Sequence, residues 1–176
     1  MDIEHFIALS IGKWRSMRSG HSLAFQHFEE VLSEITIEAV SNSDPKVCDM
    51  LAEYSTIREI SAISPFKMCW EAESDWDPDD SSQILSGSCT LVPIPENHLK
   101  GIILRSIGYA EAEGAVSEYK FQPDGTFILQ TKYEQSVAEE RIWFASDNVR
   151  CRSSVIKSLQ GAAILQVSFA SEVRRI

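Results

Sequence analysis

AVSEYKFQPDGTFILQTKYEQSVAEERIWFASDNVRCRSSVI, residues 115–156, is the stretch on which the fold turns. It divides into four strands, predicted over 115–121, 126–134, 139–145 and 149–156. Pro123-Asp124-Gly125 and Ser146-Asp147-Asn148 break it where tight reversals are needed. Working outward, further strands are predicted over 67–76, 84–92, 102–111 and 163–170. Asp77-Pro78 marks another turn. Two more strands come from alternation. Leu23, Phe25 and His27 alternate with Ser22, Ala24 and Gln26, and Ile35, Ile37 and Ala39 with Glu34, Thr36 and Glu38. About ten short, evenly spaced strands argue for a sandwich or an antiparallel barrel. Near the N-terminus, Ile3, Phe6, Ile7, Ile11 and Trp14 suit one face of a helix over 3–14, with Asp2 as N-cap. A second short helix is expected after Asp44-Pro45, with Val47, Leu51 and Tyr54 on one face. A helix that early can cap a barrel, whereas a sandwich needs no lid. The expectation is an all-β barrel with an N-terminal helix, one domain spanning 1–176, with room for one small ligand.

Composition narrows the function. The chain has 176 residues, 44% of them hydrophobic, and a formal charge of −10. That balance argues against a phosphate-binding basic surface, so no nucleic-acid partner is expected. No apolar run is long enough for a membrane span, and the N-terminus does not read as a signal peptide. Cys48, Cys69, Cys89 and Cys151 are widely spaced and read as reduced thiols. His5, His21, His27 and His98 do not approach them at zinc-ligand spacing, so no metal is expected. The chain carries no GxSxG, Walker, GxGxxG or HExxH motif.

Three strands carry chemistry. In 67–76, KMCWEAESDW, Met68, Trp70, Ala72, Ser74 and Trp76 face one way and Lys67, Cys69, Glu71, Glu73 and Asp75 the other. The first face is either an ordinary core or the wall of a pocket for a flat conjugated ligand, which polarizable aromatic and Met side chains suit. In 149–156, Arg150, Arg152 and Ser154 share a face. The arginines are either solvated outside or turned inward, where they need an anion such as a carboxylate. In 139–144, Glu140 shares a face with Ile142 and Phe144. It is either a surface residue or a pocket carboxylate able to accept from ring N–H groups. Cys151 lies between two arginines in sequence, but alternation points it away from both.

Gly12-Lys13-Trp14-Arg15-Ser16-Met17-Arg18-Ser19-Gly20-His21-Ser22-Leu23 has the frame G-x-W-x-S-x-R-x-x-H-x-L. It resembles a signature of the S-type phycobiliprotein chromophore lyases, the CpcS/CpeS family. Met68-Cys69-Trp70 with Trp76, Gly108-Tyr109-Ala110-Glu111, and the run from Glu140-Arg141-Ile142-Trp143-Phe144 to Asn148-Val149-Arg150-Cys151-Arg152-Ser153-Ser154 resemble later landmarks of that family, in order. The resemblance implies a lipocalin-like (calycin) barrel that binds a linear tetrapyrrole, phycoerythrobilin or phycocyanobilin, as substrate rather than cofactor. It implies transfer of that bilin to a cysteine of a phycoerythrin or phycocyanin subunit, forming a thioether. On this reading Arg18, Arg150 and Arg152 are candidates for the two propionates. Glu140 is the candidate acceptor for pyrrole nitrogens and the acid. Met68, Trp70 and Trp76 pack on the pigment, and Ser154 adds a hydrogen bond. Trp14 is expected at the helix–barrel junction. The resemblance also implies the cytoplasm or plastid stroma, and a homodimer is compatible with it. The competing expectations are a bilin carrier without transfer and a fatty-acid carrier.

Overall fold

The computed structural model describes residues 1–23, 25–54, 62–74, 85–106, 114–159 and 163–175. The turn at 77–78, the segment 108–111 and Trp76 lie outside them. Ten strands are seen: β1 Gly12–Ser22, β2 His27–Ala39, β3 Phe66–Ser74, β4 Leu85–Pro95, β5 Lys100–Arg105, β6 Ala115–Phe121, β7 Phe127–Lys132, β8 Ser136–Ser146, β9 Val149–Ser158 and β10 Ile164–Arg175. Each pairs antiparallel with its neighbours in sequence, and β10 pairs back onto β1, so the sheet closes into a barrel without free edges. The expected ten-stranded antiparallel barrel is therefore what forms.

Helix α1, Ile3–Ser10, plugs one end. Asp2 caps it by accepting from the His5 amide at 2.9 Å. Ile3, Phe6 and Ile7 are buried in the barrel, and the Phe6 ring stacks on Phe127 at 4.3 Å between centroids. The far end of α1 is capped from β10. Arg174 donates from Nη1 to the Ile11 carbonyl at 2.5 Å and from Nη2 to the Leu9 carbonyl at 2.6 Å. A cation there also suits the helix dipole.

Two expectations are corrected here. The helix expected over 3–14 ends at Ser10, because Gly12 has φ 133°, a conformation that L side chains rarely adopt. A Cβ on Gly12 would also lie 2.6 Å from Arg174 Nη1. The strand expected around 22–27 is instead the reversal between β1 and β2, where Phe25 is 85% exposed. The real first strand lies over 12–22.

Helix α2, Pro45–Tyr54, starts as expected after Asp44, whose carboxylate accepts from the Lys46 amide at 2.9 Å. It packs outside the barrel, with Val47 against Val92 and Leu104, while Tyr54 stays exposed. The main core is inside: Trp14, Ile35, Ile37, Leu91, Ile103, Tyr119 and Leu129 join the aromatic cluster around Phe6. Among the described residues, no helix is long and apolar enough to cross a membrane.

Candidate functional site

Above α1 the barrel encloses a cavity of about 430 Å³, within the range of small-molecule sites. Its floor is Ile3, Phe6 and Ser10, and its mouth lies toward Arg18 and Glu29, which pair at 2.9 Å and are about one-third exposed. The walls follow from strand alternation. On β3, Met68, Trp70 and Ala72 line the cavity, so the aromatic face of that strand is the inward one. Trp70 owes its pose to Gly87, its cross-strand partner on β4. A Cβ at Gly87 would collide with Cζ2 and Cε2 of the Trp70 indole. Gly87→Ala is expected to push the indole off this wall, to cost about 1–3 kcal/mol of stability and to change Trp fluorescence. Unchanged fluorescence and an unchanged urea midpoint would contradict this packing.

The opposite wall is charged. Arg150, Arg152 and Ser154 on β9 all line the cavity, which fixes the direction of that face. Cys151 points outward, opposite Ser171 and Trp143, and all four cysteines are free thiols. Glu140 and Ile142 on β8 also face in, with Glu140 opposite Ser154. Phe144 packs against the core, meeting Phe6 edge-on.

Sequence reading missed two members of this charged cluster, Glu172 on β10 and Arg105, which reaches it across the barrel from β5. Glu172 stands opposite Arg150 and is 1% exposed. Its Oε2 accepts from Arg150 Nε at 2.5 Å, and its Oε1 lies 3.7 Å from Arg152 Nε. Arg152 Nη1 reaches Glu140 Oε1 at 3.4 Å. Arg105 Nη1 lies 3.6 Å from Glu140 Oε2. The result is one chain, Arg150–Glu172–Arg152–Glu140–Arg105, with three cations and two anions. Arg150 is held on its other side by Trp14, 4.8 Å from guanidinium carbon to ring centroid, and Arg174 covers the same ring at 4.3 Å. The Trp14 Nε1 donates to the Ser10 carbonyl at 2.8 Å, so Trp14 sits at the helix–barrel junction. The findable signal was charge balance: two arginines turned inward require carboxylates on adjacent strands.

Burial pushes the Glu172 carboxyl up, but the charges of Arg152 and Arg150 and the Arg150 hydrogen bond outweigh burial and hold it below its ordinary value. Burial also pulls the Arg150 guanidinium down, against the opposing charge of Glu172. A carboxyl depressed in the folded state adds stability that is full above its unfolded pKa and is lost as pH falls through the folded one. Thermal stability is therefore expected to drop below about pH 4. In Glu172→Gln that acid limb should be shallower. Melts between neutral and acidic pH check this, and equal acid limbs in the two proteins would refute it.

A barrel plugged at one end, with an aromatic wall facing a buried charged cluster across one cavity, has the form of a small-molecule-binding barrel. The chain belongs to the CpeS-like protein family, whose model matches residues 2–175. It is 53% identical over 176 residues to the chromophore lyase CpcS/CpeS 3 of Trichodesmium erythraeum, covering 99% of each chain. It is 37% identical over 176 residues to the chromophore lyase CpcS/CpeS of Thermosynechococcus vestitus, covering 99% of this chain and 93% of that one. The solved S-type phycobiliprotein lyase CPES from Guillardia theta superposes with a TM-score of 0.85 at 40% identity, covering 100% of this chain and 94% of the other.

Proposed function

We propose that the protein is a bilin lyase, one lipocalin-like domain over 1–176, that binds a linear tetrapyrrole and delivers it to a cysteine of a phycobiliprotein subunit. The carrying observation is the five-member charge chain facing Met68 and Trp70 across one cavity. Family membership supports the same reading and speaks against the carrier alternatives. The pigment is phycoerythrobilin or phycocyanobilin, bound as substrate, and the acceptor is a phycoerythrin or phycocyanin subunit.

In the reaction, the acceptor sulfur bonds to the ethylidene carbon of the bilin A ring. The thiol S–H bond and the π bond of that ethylidene group break, and a proton equivalent to the one the thiol loses ends on the ring carbon at the other end of the former double bond. No oxidant or reductant is consumed. The nucleophile comes from the acceptor, so the barrel's task is to hold one pigment conformer and present one face of the A ring. Arg18 at the mouth and Arg150 and Arg152 on β9 supply the cationic surroundings that draw in the two propionates. Glu140 accepts from pyrrole N–H groups and keeps a proton on the conjugated system, which makes the A ring more electrophilic. Met68 and Trp70 pack on the pigment, and Ser154 adds a hydrogen bond. The protein works in the cytoplasm or plastid stroma.

An absorbance titration with each pigment tests the binding half of the proposal. A sharpened, red-shifted band that reverts to the free-pigment spectrum in acid-urea is expected. An unchanged spectrum with both pigments would reject the pocket assignment.

A further inference from the structure

The cations on the charged wall are not equivalent. Arg150 is committed to Glu172 and to the Trp14 ring, and is 2% exposed. Arg152 lies between two carboxylates, and Arg18 is paired with Glu29. Arg105 differs. It is 7% exposed and lines the cavity, and its Nε and Nη1 have no hydrogen-bond acceptor among the described residues; Arg150 Nη2 and Arg152 Nε also lack one, but Arg150 and Arg152 each donate to a carboxylate from another nitrogen. Its ion-pair partner is Glu140 at 3.6 Å, beyond hydrogen-bond reach for a guanidinium. A guanidinium buried without accepting oxygens is costly. Among the described residues, the cluster around it also carries one positive charge more than it has carboxylates to match, so one further anion would balance it.

We infer that Arg105 is the docking point for one carboxylate of the ligand. On the bilin reading proposed above, that carboxylate is one of the two propionates. An incoming carboxylate oxygen accepts from the unsatisfied Nε or from Nη1. It also draws Arg105 away from Glu140. The carboxylate of Glu140 then loses one of its two cationic neighbours and is left more available to the pyrrole nitrogens. Binding of the acid group and readiness of Glu140 are thereby coupled through a single side chain. Arg105 is in this sense both a binding residue and a positioning residue for Glu140.

The test is a cycle of two proteins and two ligands. The parent chain and Arg105→Gln are each titrated with phycoerythrobilin and with its dimethyl ester, followed by absorbance, after circular dichroism has established that the variant is folded. The parent should prefer the free acid by more than about tenfold, and in the variant this preference should shrink at least about tenfold, the scale of one charge-assisted contact. A residue that only supports the fold would weaken acid and ester alike and leave the preference unchanged, which would overturn the inference. Equal affinity of parent and variant for the free acid would also overturn it. Where the ester binds too weakly to titrate, Arg105→Lys decides. Recovery of most of the lost affinity supports a carboxylate contact, and no recovery overturns it. Failure of the parent chain itself to bind the free acid of phycoerythrobilin and of phycocyanobilin would instead overturn the bilin reading, and with it this assignment.

Discussion

The Glu172→Ala variant is expected to be about 3–5 kcal/mol less stable than the parent chain, because it strands the buried Arg150 guanidinium without its counter-ion. Trp14 and the α1 end block the guanidinium on one side, and Arg174 stacks on the far part of the same ring. At an ordinary urea dependence this lowers the unfolding midpoint by roughly 2 M. A paired replacement, Arg150→Met with Glu172→Leu, separates stability from function. It removes both charges together, so the net charge of the wall is unchanged and most of the stability should return. Pigment binding should not return with it, since Arg152 has lost a partner that orients it. A double variant that bound pigment normally would mean that the ion pair serves only the fold.

Glu140→Gln is the second large effect, and it falls on chemistry. The amide would still fill the space opposite Ser154, so the barrel should form. The replacement takes away the one carboxylate that reaches both Arg152 and Arg105. It also takes away the charge that holds a proton on the bound pigment. Transfer to an acceptor subunit is expected to slow by about 10²-fold or more, the size of a general acid–base contribution. The bound pigment should lose the red shift expected with the parent chain. Pigment affinity should change far less, because the arginines that meet the propionates remain. Transfer at the parental rate, with folding intact, would remove Glu140 from the mechanism.

The parts of this molecule that can be read from sequence are those where an apolar face meets an apolar core. The strand over 115–121 agrees with β6, and 149–156 lies inside β9, because Tyr119, Phe121 and the turn residues signal their own geometry. The first strand escapes the pattern for a physical reason. The inward face of β1 is Trp14, Ser16, Arg18 and Gly20, while Met17 faces solvent. Toward a polar cavity the usual hydrophobic pattern inverts, and helical spacing of Ile11 and Trp14 extends the expected helix past Gly12. The G-x-W-x-S-x-R frame then acquires a structural meaning. Gly12 makes the corner, Trp14 carries Arg150 and Arg174, Ser16 stands opposite Glu172, and Arg18 reaches the mouth.

Glu172 and Arg105 are not legible for the same reason. Each looks like a surface charge until the register places it inside. Arg152, Arg150 and Glu140 stand out as candidates, but the sequence leaves open which way their strands turn. Barrel closure of β10 onto β1 decides it, since only one face of β9 and β10 can then look inward. That closure is a long-range property, and alternation within one strand does not contain it.

The most direct test of the central claim is single-turnover transfer. The protein is preloaded with phycoerythrobilin or phycocyanobilin and mixed with an apo-phycoerythrin or apo-phycocyanin subunit, and the products are resolved after acid-urea denaturation. A bilin lyase should leave pigment covalently retained on one acceptor cysteine, with a single stereochemistry, formed faster than with free pigment. Pigment that stays on the barrel, or an adduct mixture identical to that of the spontaneous reaction, would contradict it.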